Sequence, residues 1–206
     1  MEKDIIKKKL KDGREYTIRK DRRRYFYPSE WDKFYNSVKK PVFDFLINTG
    51  ARIDESFYIR PMDFDFIRNN VRIWKTKTKA KKGEKFGKTR TISISSIYAK
   101  RVKKLCKNKE KYLFKGTIQG INQLLKRRLK KIGIEDYYNF STHNIRKTHG
   151  MWLKAIGVDS GEICIRLGHD MDTYLNHYGS ADIFNNIDVR RIEEFFGDLY
   201  QRKRRY

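Results

Sequence analysis

The first part of the chain carries two apolar patterns with the spacing of an amphipathic helix. The first is formed by bulky side chains three and four positions apart, namely Trp31, Phe34, Tyr35 and Val38. Ser29 stands just before them, where a residue that caps the helix N-terminus is expected. The second pattern begins at Pro41 and stops at Gly50, which is the usual order of proline and glycine around a helix. The sequence therefore predicts two consecutive helices.

The middle of the chain alternates between apolar and polar residues, as β-strands do. Segments 71–78 and 89–94 both show this alternation and are rich in β-branched residues. Residues 79–88 between them contain Gly83, Gly87 and several lysines. This pattern predicts an antiparallel hairpin with a long, lysine-rich connection.

The rest of the chain is dominated by apolar residues at helical spacing. Glycines separate several of these stretches, as is common where helices end. The predicted helical segments span residues 53–59, 97–106, 118–132, 142–156, 161–167 and 183–200. The predicted fold class is α+β, mostly α, with one small antiparallel β-hairpin sheet.

The chain is strongly basic and yet rich in core-forming residues. It has 206 residues, a formal net charge of +24, 38% hydrophobic residues and 14% aromatic residues. Disordered basic tails are poor in aromatic residues because they have no core to build, so this chain is expected to fold. We expect a basic arm at residues 1–27, one domain at residues 28–200 and a basic tail at residues 201–206.

The net charge also indicates the class of partner. A charge of this size attracts polyanions, so nucleic acid is the leading partner and an anionic membrane surface is the weaker one. No apolar run approaches the roughly 18 residues that a membrane span needs, and the first residues are charged where a signal peptide would be apolar. We therefore expect a protein of the cytoplasm or nucleoid, or of the host cytoplasm if a virus or plasmid encodes it.

The cysteines and histidines do not show the spacing of a metal site. Cys106 and Cys164 stand alone in apolar stretches, so we expect both to be reduced core thiols. No HExxH motif or paired carboxylate cluster accompanies the histidines. We expect neither a metal ion nor another cofactor.

Several cationic residues could form a site for a phosphodiester. His143 precedes Arg146 by three positions at the start of a predicted helix, so both could reach one phosphate. Arg52 follows the helix end at Gly50, and lysines crowd the hairpin. All the histidines fall in one window of the chain, at His143, His149, His169 and His177. Together with a tyrosine hydroxyl, these groups indicate a metal-free site.

Five short motifs occur in a fixed order along residues 28–200. They are Thr49-Gly50-Ala51-Arg52-Ile53-Asp54-Glu55, a hairpin lysine, His143-Asn144-Ile145-Arg146, Leu167-Gly168-His169 and Tyr178. In this order they resemble the catalytic domain of the tyrosine recombinases, the phage-integrase family. The resemblance implies a site-specific recombinase or integrase that cleaves and rejoins strands of double-stranded DNA without metal or ATP.

The resemblance implies which residues bind the scissile phosphate. Arg52 and Arg146 match the arginines that hold its non-bridging oxygens, and a planar fork of donors suits a phosphate. His169 matches the residue that hydrogen-bonds the phosphate. Glu55 matches an acidic position behind the first arginine, where it would orient the guanidinium.

The resemblance also implies which residues transfer protons and bonds. Tyr178 matches the nucleophile, which leaves a 3′-phosphotyrosyl link and a free 5′-hydroxyl, and His143 matches the residue that assists its proton transfer. A hairpin lysine would protonate the leaving 5′-oxygen. We prefer Lys77 for this role, with Lys75 and Lys79 as alternatives.

Tyr174 competes with Tyr178 for the role of nucleophile. Most tyrosines are packing residues with a solvated hydroxyl, so the choice needs a second criterion. The spacing of nine residues from His169 favours Tyr178.

One feature departs from the pattern of the family. Its members usually carry a separate core-binding domain of roughly a hundred residues, the size of one ordinary domain, before the catalytic domain. Here a basic segment of 27 residues precedes Pro28, and we expect it to cover backbone phosphates without forming that domain. This departure bears on recombination more than on cleavage.

The resemblance leaves assembly and activity open. It implies a homo-oligomer, a tetramer on DNA, in which residues 183–200 pack either on their own protomer or on a neighbour. Two alternative functions use the same fold or site. One is a non-catalytic DNA-binding regulator, and the other is a type IB topoisomerase-like enzyme.

Overall fold

The computed structural model describes residues 5–9, 15–19, 25–74, 89–107, 111–178 and 183–200. The helices are α1 (Pro28–Val38), α2 (Pro41–Thr49), α3 (Ile53–Ser56), α4 (Ser96–Cys106), α5 (Ile118–Lys131), α6 (Thr142–Ala155), α7 (Ser160–Leu167), α8 (Met171–Tyr178) and α9 (Asn186–Phe196). The strands are β1 (Ile5–Lys9), β2 (Glu15–Arg19), β3 (Phe64–Asp65), β4 (Asn70–Ile73) and β5 (Arg90–Ser93). Short 3₁₀ turns lie at Pro61–Asp63, Tyr137–Asn139 and Gly197–Leu199. The prediction of a mostly α fold with a small antiparallel sheet is confirmed.

The strands β3, β4 and β5 form an antiparallel sheet in that order. Val71 pairs with Ile92, and both side chains are buried. Because side chains alternate along a strand, the neighbouring Arg72 and Thr91 point to the opposite, exposed face. The predicted hairpin partners are therefore present, and β3 is an additional strand.

Helix α2 forms the centre of the core and packs against α6. Its residues from Val42 to Thr49 are all buried, as expected for a helix surrounded by other elements. Aromatic rings from other segments pack on it, since Phe34 lies 5.1 Å from Phe43 and Phe114 lies 5.0 Å from Phe45, measured between ring centroids. This arrangement fixes the C-terminal end of α2, from which Gly50 and Arg52 follow.

The core begins slightly before residue 28, where we predicted the start of the domain. Phe26 is buried, its backbone N–H donates to Thr148 Oγ1 at 2.9 Å, and its carbonyl accepts from Trp152 Nε1 at 3.0 Å. The prediction of Ser29 as the N-cap of α1 was wrong, because Tyr27 holds that position and Pro28 begins the helix. The Glu30 carboxylate accepts the Tyr27 N–H at 3.0 Å, which is the bond that a glutamate at the third helical position makes in a capping box.

The predicted basic arm contains a β-hairpin. Strands β1 and β2 pair antiparallel, with Ile5 opposite Arg19 and Lys9 opposite Glu15. No strands were predicted here, because lysines interrupt the apolar pattern. The predicted basic tail at residues 201–206 lies outside the described residues.

The C-terminal segment packs on its own chain in this structure. Ile192 and Phe196 on α9 are buried, and the Phe196 ring lies edge-on to the His149 ring with centroids 5.5 Å apart. The Ser96 N–H donates to Asp198 Oδ1 at 2.8 Å.

The cysteines are both free thiols. Cys164 is buried, whereas Cys106 is only partly buried at the end of α4 and packs against the core from outside. Within the described ranges, no helix is both long enough and apolar enough to span a bilayer.

Candidate active site

Arg146 joins three segments of the chain that carry separate sequence motifs. It lies on α6 and is 1% exposed. Its Nη1 donates to the carbonyl of Gly50 at 2.7 Å, and its Nη2 donates to the carbonyl of Leu167. The ends of α2 and α7 therefore meet at the Arg146 side chain.

Gly50 allows this close approach. It ends α2 with φ +64°, a left-handed conformation that glycine adopts without steric cost. A Cβ at this position would lie 2.5 Å from His149 Cδ2 and 2.7 Å from Leu167 Cδ2. Glycine is therefore required both by the backbone angle and by the neighbouring side chains.

Glu55 is a buried carboxylate shared by two arginines. The Arg52 backbone N–H donates to Oε2 at 2.8 Å, and Arg52 Nη1 donates to Oε1 at 3.1 Å. Arg90 makes a bidentate contact, with Nη1 3.0 Å from Oε1 and Nη2 2.6 Å from Oε2. The side chain of Arg52 keeps 29% of its surface exposed, whereas Glu55 keeps 1%. Arg52 is thus held by Glu55 at its backbone N–H and at Nη1, while the side chain as a whole remains partly exposed.

The charges around Glu55 determine its protonation. Burial raises the pKa of the carboxyl, but hydrogen bonds and charge from Arg90, with smaller contributions from Arg52 and Arg146, bring the pKa below its usual value. Glu55 is therefore ionised at neutral pH and can orient both guanidinium groups.

His169 follows a tight helix end. Gly168 ends α7 with φ +64°, and the His169 N–H donates to the Cys164 carbonyl at 3.0 Å. The His169 side chain is half-buried. Because Leu167 contacts Arg146, this turn places His169 two residues from that contact.

His143 lies in the first turn of α6, three residues before Arg146. Its side chain is exposed, in contrast to the buried Arg146. The Ser141 N–H donates to Asn144 Oδ1 at 2.7 Å and stabilises this helix end. The predicted pair thus occupies one helix end, with one side chain exposed and the other buried.

His149 and Arg166 form a polar layer beneath these residues. His149 is fully buried, its Nδ1 lies 2.6 Å from the Ile47 carbonyl, and Arg166 Nε donates to its Nε2 at 2.9 Å. Arg166 Nη2 also donates to the Ser93 carbonyl at 2.6 Å. Burial and the Arg166 charge hold the pKa of His149 well below its usual value. His149 is therefore a neutral structural histidine that donates from Nδ1.

Tyr174 and Tyr178 lie one turn apart on α8. Tyr174 is 6% exposed and belongs to the hydrophobic core. Tyr178 is the last residue of the helix. The burial of Tyr174 supports the interpretation of that residue as a packing residue.

Comparison with family models adds an independent observation. The model of the phage integrase family matches residues 29–183, which is most of the chain. The chain belongs to the phage integrase family. Comparison with curated protein sequences gives no significant match.

Solved structures of tyrosine recombinases resemble this family member in fold. The Tn1549 transposon integrase in complex with transposon right end DNA has a TM-score of 0.63 at 17% identity, covering 82% of this chain and 64% of that one. XerA recombinase has a TM-score of 0.60 at 17% identity, with coverage of 82% and 64%. The catalytic domain of bacteriophage HP1 integrase has a TM-score of 0.56 at 17% identity, covering 75% of this chain and 86% of that one. The chain thus spans slightly under two thirds of the first two proteins.

Within this phage integrase fold, some predicted residues come together and others are not described. Arg52, Glu55 and Arg146 are connected by contacts, and His143 and His169 lie two or three residues from Arg146 or from its partner Leu167. The three lysines Lys75, Lys77 and Lys79 lie outside the described residues. Among the described residues, no group of three His, Cys, Asp or Glu side chains could hold a metal ion.

Sequence reasoning missed Arg90 and Arg166. Both make contacts between distant parts of the chain, with partners as far as 76 and 118 positions away. The basic composition offers no local signal that distinguishes them from the many other arginines. An acidic residue in a motif, such as Glu55, is the signal that could have prompted a search for a second cationic partner.

Proposed function

We propose that this chain cleaves and rejoins DNA strands through a covalent link between Tyr178 and a 3′-phosphate. The observation that carries the proposal is the pair of contacts from Arg146 to the Gly50 and Leu167 carbonyls. Through these contacts, the motifs that contain Gly50, Arg146 and Leu167 meet at one cationic side chain, although they are far apart in sequence. A phosphodiester in the transition state carries extra negative charge, which such a side chain stabilises.

The proposed reaction exchanges one phosphodiester bond for another. The Tyr178 oxygen attacks the phosphorus in line with the leaving 5′-oxygen, and His143 assists removal of the tyrosine proton. The leaving 5′-oxygen takes a proton from a hairpin lysine, for which Lys77 is preferred over Lys75 and Lys79. In the second half, a 5′-hydroxyl attacks the phosphotyrosine and releases Tyr178.

Arg52 and Arg146 would both bind the non-bridging oxygens of the phosphate, but the two side chains differ in their exposure before DNA binds. Arg52 is partly exposed and its guanidinium is oriented by Glu55, so it can meet an incoming phosphate directly. Arg146 is 1% exposed, so its contact with DNA requires that binding uncover part of the guanidinium. Catalytic contacts commonly tighten only when substrate is bound. His169 would donate a further hydrogen bond to the same phosphate.

Double-stranded DNA is the proposed partner. The Tn1549 integrase was solved with transposon DNA and XerH recombinase with its difH substrate, and both share this fold. The net charge of +24 supports the proposal because phosphate contacts dominate affinity for DNA. On α5, Arg127, Arg128 and Lys131 share one face with Leu124, and these three cations would contact backbone phosphates. Assembly into a tetramer on DNA is part of the same proposal.

The test is covalent trapping on a nicked suicide substrate, from which the leaving strand diffuses away. The wild-type chain should form a protein–DNA adduct, and Tyr178→Phe should form none while its salt-dependent DNA binding remains. Tyr174→Phe is the matched control, because this buried tyrosine is one turn away on the same helix; it should still form the adduct. An adduct in Tyr178→Phe would contradict the assignment of the nucleophile. Tight DNA binding by a wild-type chain that forms no adduct would instead favour a non-catalytic regulator.

A further inference from the structure

Arg90 is an arginine whose polar contacts all lie within the protein. Its side chain is 8% exposed. Nη1 and Nη2 both donate to Glu55, and Nε donates to the Arg166 carbonyl at 3.0 Å. All three side-chain nitrogens of Arg90 therefore donate to acceptors within the protein, in contrast to the exposed cations of the chain.

The contacts of Arg90 connect both sides of the candidate site. On one side, Glu55 contacts the backbone and guanidinium of Arg52. On the other, Arg90 Nε donates to the Arg166 carbonyl on the last turn of α7. A Cβ added at Gly168 would meet the Arg90 side chain at ordinary van der Waals distance, 3.6 Å from Cδ. Gly168 immediately precedes His169. Arg90 therefore spans the gap between the Arg52 motif and the His169 motif.

Arg90 also has a special place in the sheet. It is the first residue of β5 and pairs with Ile73, the last residue of β4. The Glu55 contact then joins β5 to the segment that begins with Arg52.

We propose that Arg90 is a positioning residue for strand cleavage, which sets the direction of the Arg52 guanidinium through Glu55. This inference rests on the proposed function. A bidentate arginine fixes the plane of a carboxylate, whereas a single donor leaves it free to rotate. Lysine at position 90 would keep the charge but supply one nitrogen where arginine uses three.

The chain offers a matched control at Arg101. This arginine makes the same bidentate contact with a buried acid, since its Nε and Nη2 donate to Asp44 at 3.1 Å and 3.0 Å. It lies on α4 and its contacts involve Asp44 and the Tyr98 ring rather than the motif residues. Replacing Arg101 therefore removes the same kind of ion pair without touching the candidate site.

The experiment compares Arg90→Gln, Arg90→Lys and Arg101→Gln in the full chain. Single-turnover adduct formation is measured on the nicked suicide substrate, and DNA affinity is measured for each variant in a Tyr178→Phe background. Thermal unfolding gives the folded fraction by which each rate is corrected. We expect Arg90→Gln to slow adduct formation by about 10- to 100-fold, the range for residues that orient catalytic groups, while DNA affinity stays within about threefold. Arg101→Gln should retain the wild-type rate.

The pH dependence supplies a readout that general destabilisation would not move. The charged groups facing Glu55 are Arg52, Arg90 and Arg146. Without Arg90, Glu55 takes up a proton at higher pH, so the ratio of the Arg90→Gln rate to the wild-type rate should fall as the pH is lowered. Arg90→Lys keeps a cation beside Glu55, so the ratio of its rate to the wild-type rate should change less with pH. Its rate should still stay below that of the wild type.

The outcomes separate this inference from the function on which it rests. A corrected Arg90→Gln rate no lower than that of Arg101→Gln, or a rate ratio that does not change with pH, would overturn the role of Arg90 while leaving the cleavage function intact. A parallel loss of DNA affinity would also overturn it, because Arg90 would then act in binding. A wild-type chain that forms no adduct would overturn both proposals together.

Discussion

Two buried carboxylates in this protein are each held by a bidentate arginine, and their pKa values shift in opposite directions. Asp44 on α2 accepts from Arg101 and from Asn48 Nδ2, yet burial dominates and raises its pKa. Glu55 on α3 is at least as buried, yet its pKa is lowered. The same local contact therefore gives two different electrostatic results.

The difference lies in the cations around each acid. Glu55 faces the buried Arg90 together with Arg52 and Arg146, so attraction exceeds the cost of burial. Asp44 faces Arg101, whose side chain is 47% exposed and screened by water, and the neutral Asn48. A carboxylate that must stay ionised to orient other groups needs more than one arginine.

The largest expected effect comes from Glu55→Gln. This change leaves Arg90 buried with its partner neutralised, so the free energy of unfolding should fall by about 3 kcal/mol. Adduct formation, corrected for folded fraction, should fall by about tenfold or more because the Arg52 guanidinium loses its orientation. Urea denaturation and single-turnover trapping measure the two quantities. A variant that cleaves at the wild-type rate would contradict the orienting role of Glu55.

Asp44→Asn should have a smaller effect, confined to stability. Arg101 can turn toward water when its partner is lost, so we expect a loss of about 1 kcal/mol in the free energy of unfolding. The corrected rate of adduct formation should not change. Equal rate losses in Asp44→Asn and Glu55→Gln would show that the two sites do not differ in function.

The smallest expected effect is a difference in acid sensitivity. The folded-state pKa of Glu55 lies below its usual 4.5, so the stability it contributes is present above that pH and is lost as the pH falls through the folded-state value. The folded-state pKa of Asp44 lies above its usual 3.8, so the carboxyl takes up a proton in the folded state at a higher pH than in the unfolded state. The free-energy cost of burying its charge is therefore relieved as the pH falls.

The two variants should therefore change the pH dependence of stability in opposite senses. Compared with wild type between pH 6 and pH 4, Glu55→Gln should lose less stability and Asp44→Asn should lose more. Denaturant titrations at both pH values provide the measurement. Parallel slopes in both variants would contradict the opposite pKa shifts.

The fold could be predicted from the sequence wherever a segment carries its own pattern. Apolar spacing predicted α2 and α7, and Gly50 and Gly168 marked their helix ends correctly. Helix α8 was missed because Met171–Tyr178 is short and mixes polar and aromatic residues without a clear apolar face. Strands β1 and β2 were missed because they are recognised by their pairing with each other, and their lysine-rich sequence carries no pattern that indicates this pairing.

The residues of the candidate site that belong to sequence motifs could be predicted. The residues that hold those motif residues in position could not. Arg52, Arg146 and His169 could be named because each stands in a recognisable short motif. Arg90 and Arg166 act on Glu55 and on backbone carbonyls far away in sequence, so only folding brings their partners within reach. His149 was noticed as a histidine, but its burial between α2 and α7 decides that it is structural.

Gly50 has a consequence for how the chain can change through mutation. Its left-handed φ and its contact distances to His149 and Leu167 are independent obstacles to any larger residue. Replacing His149 by a smaller residue would remove the crowding but not the backbone strain, and it would also leave Arg166 Nε without its acceptor. No single compensating substitution therefore rescues Gly50→Ala, and sequence drift at this position would require several simultaneous changes.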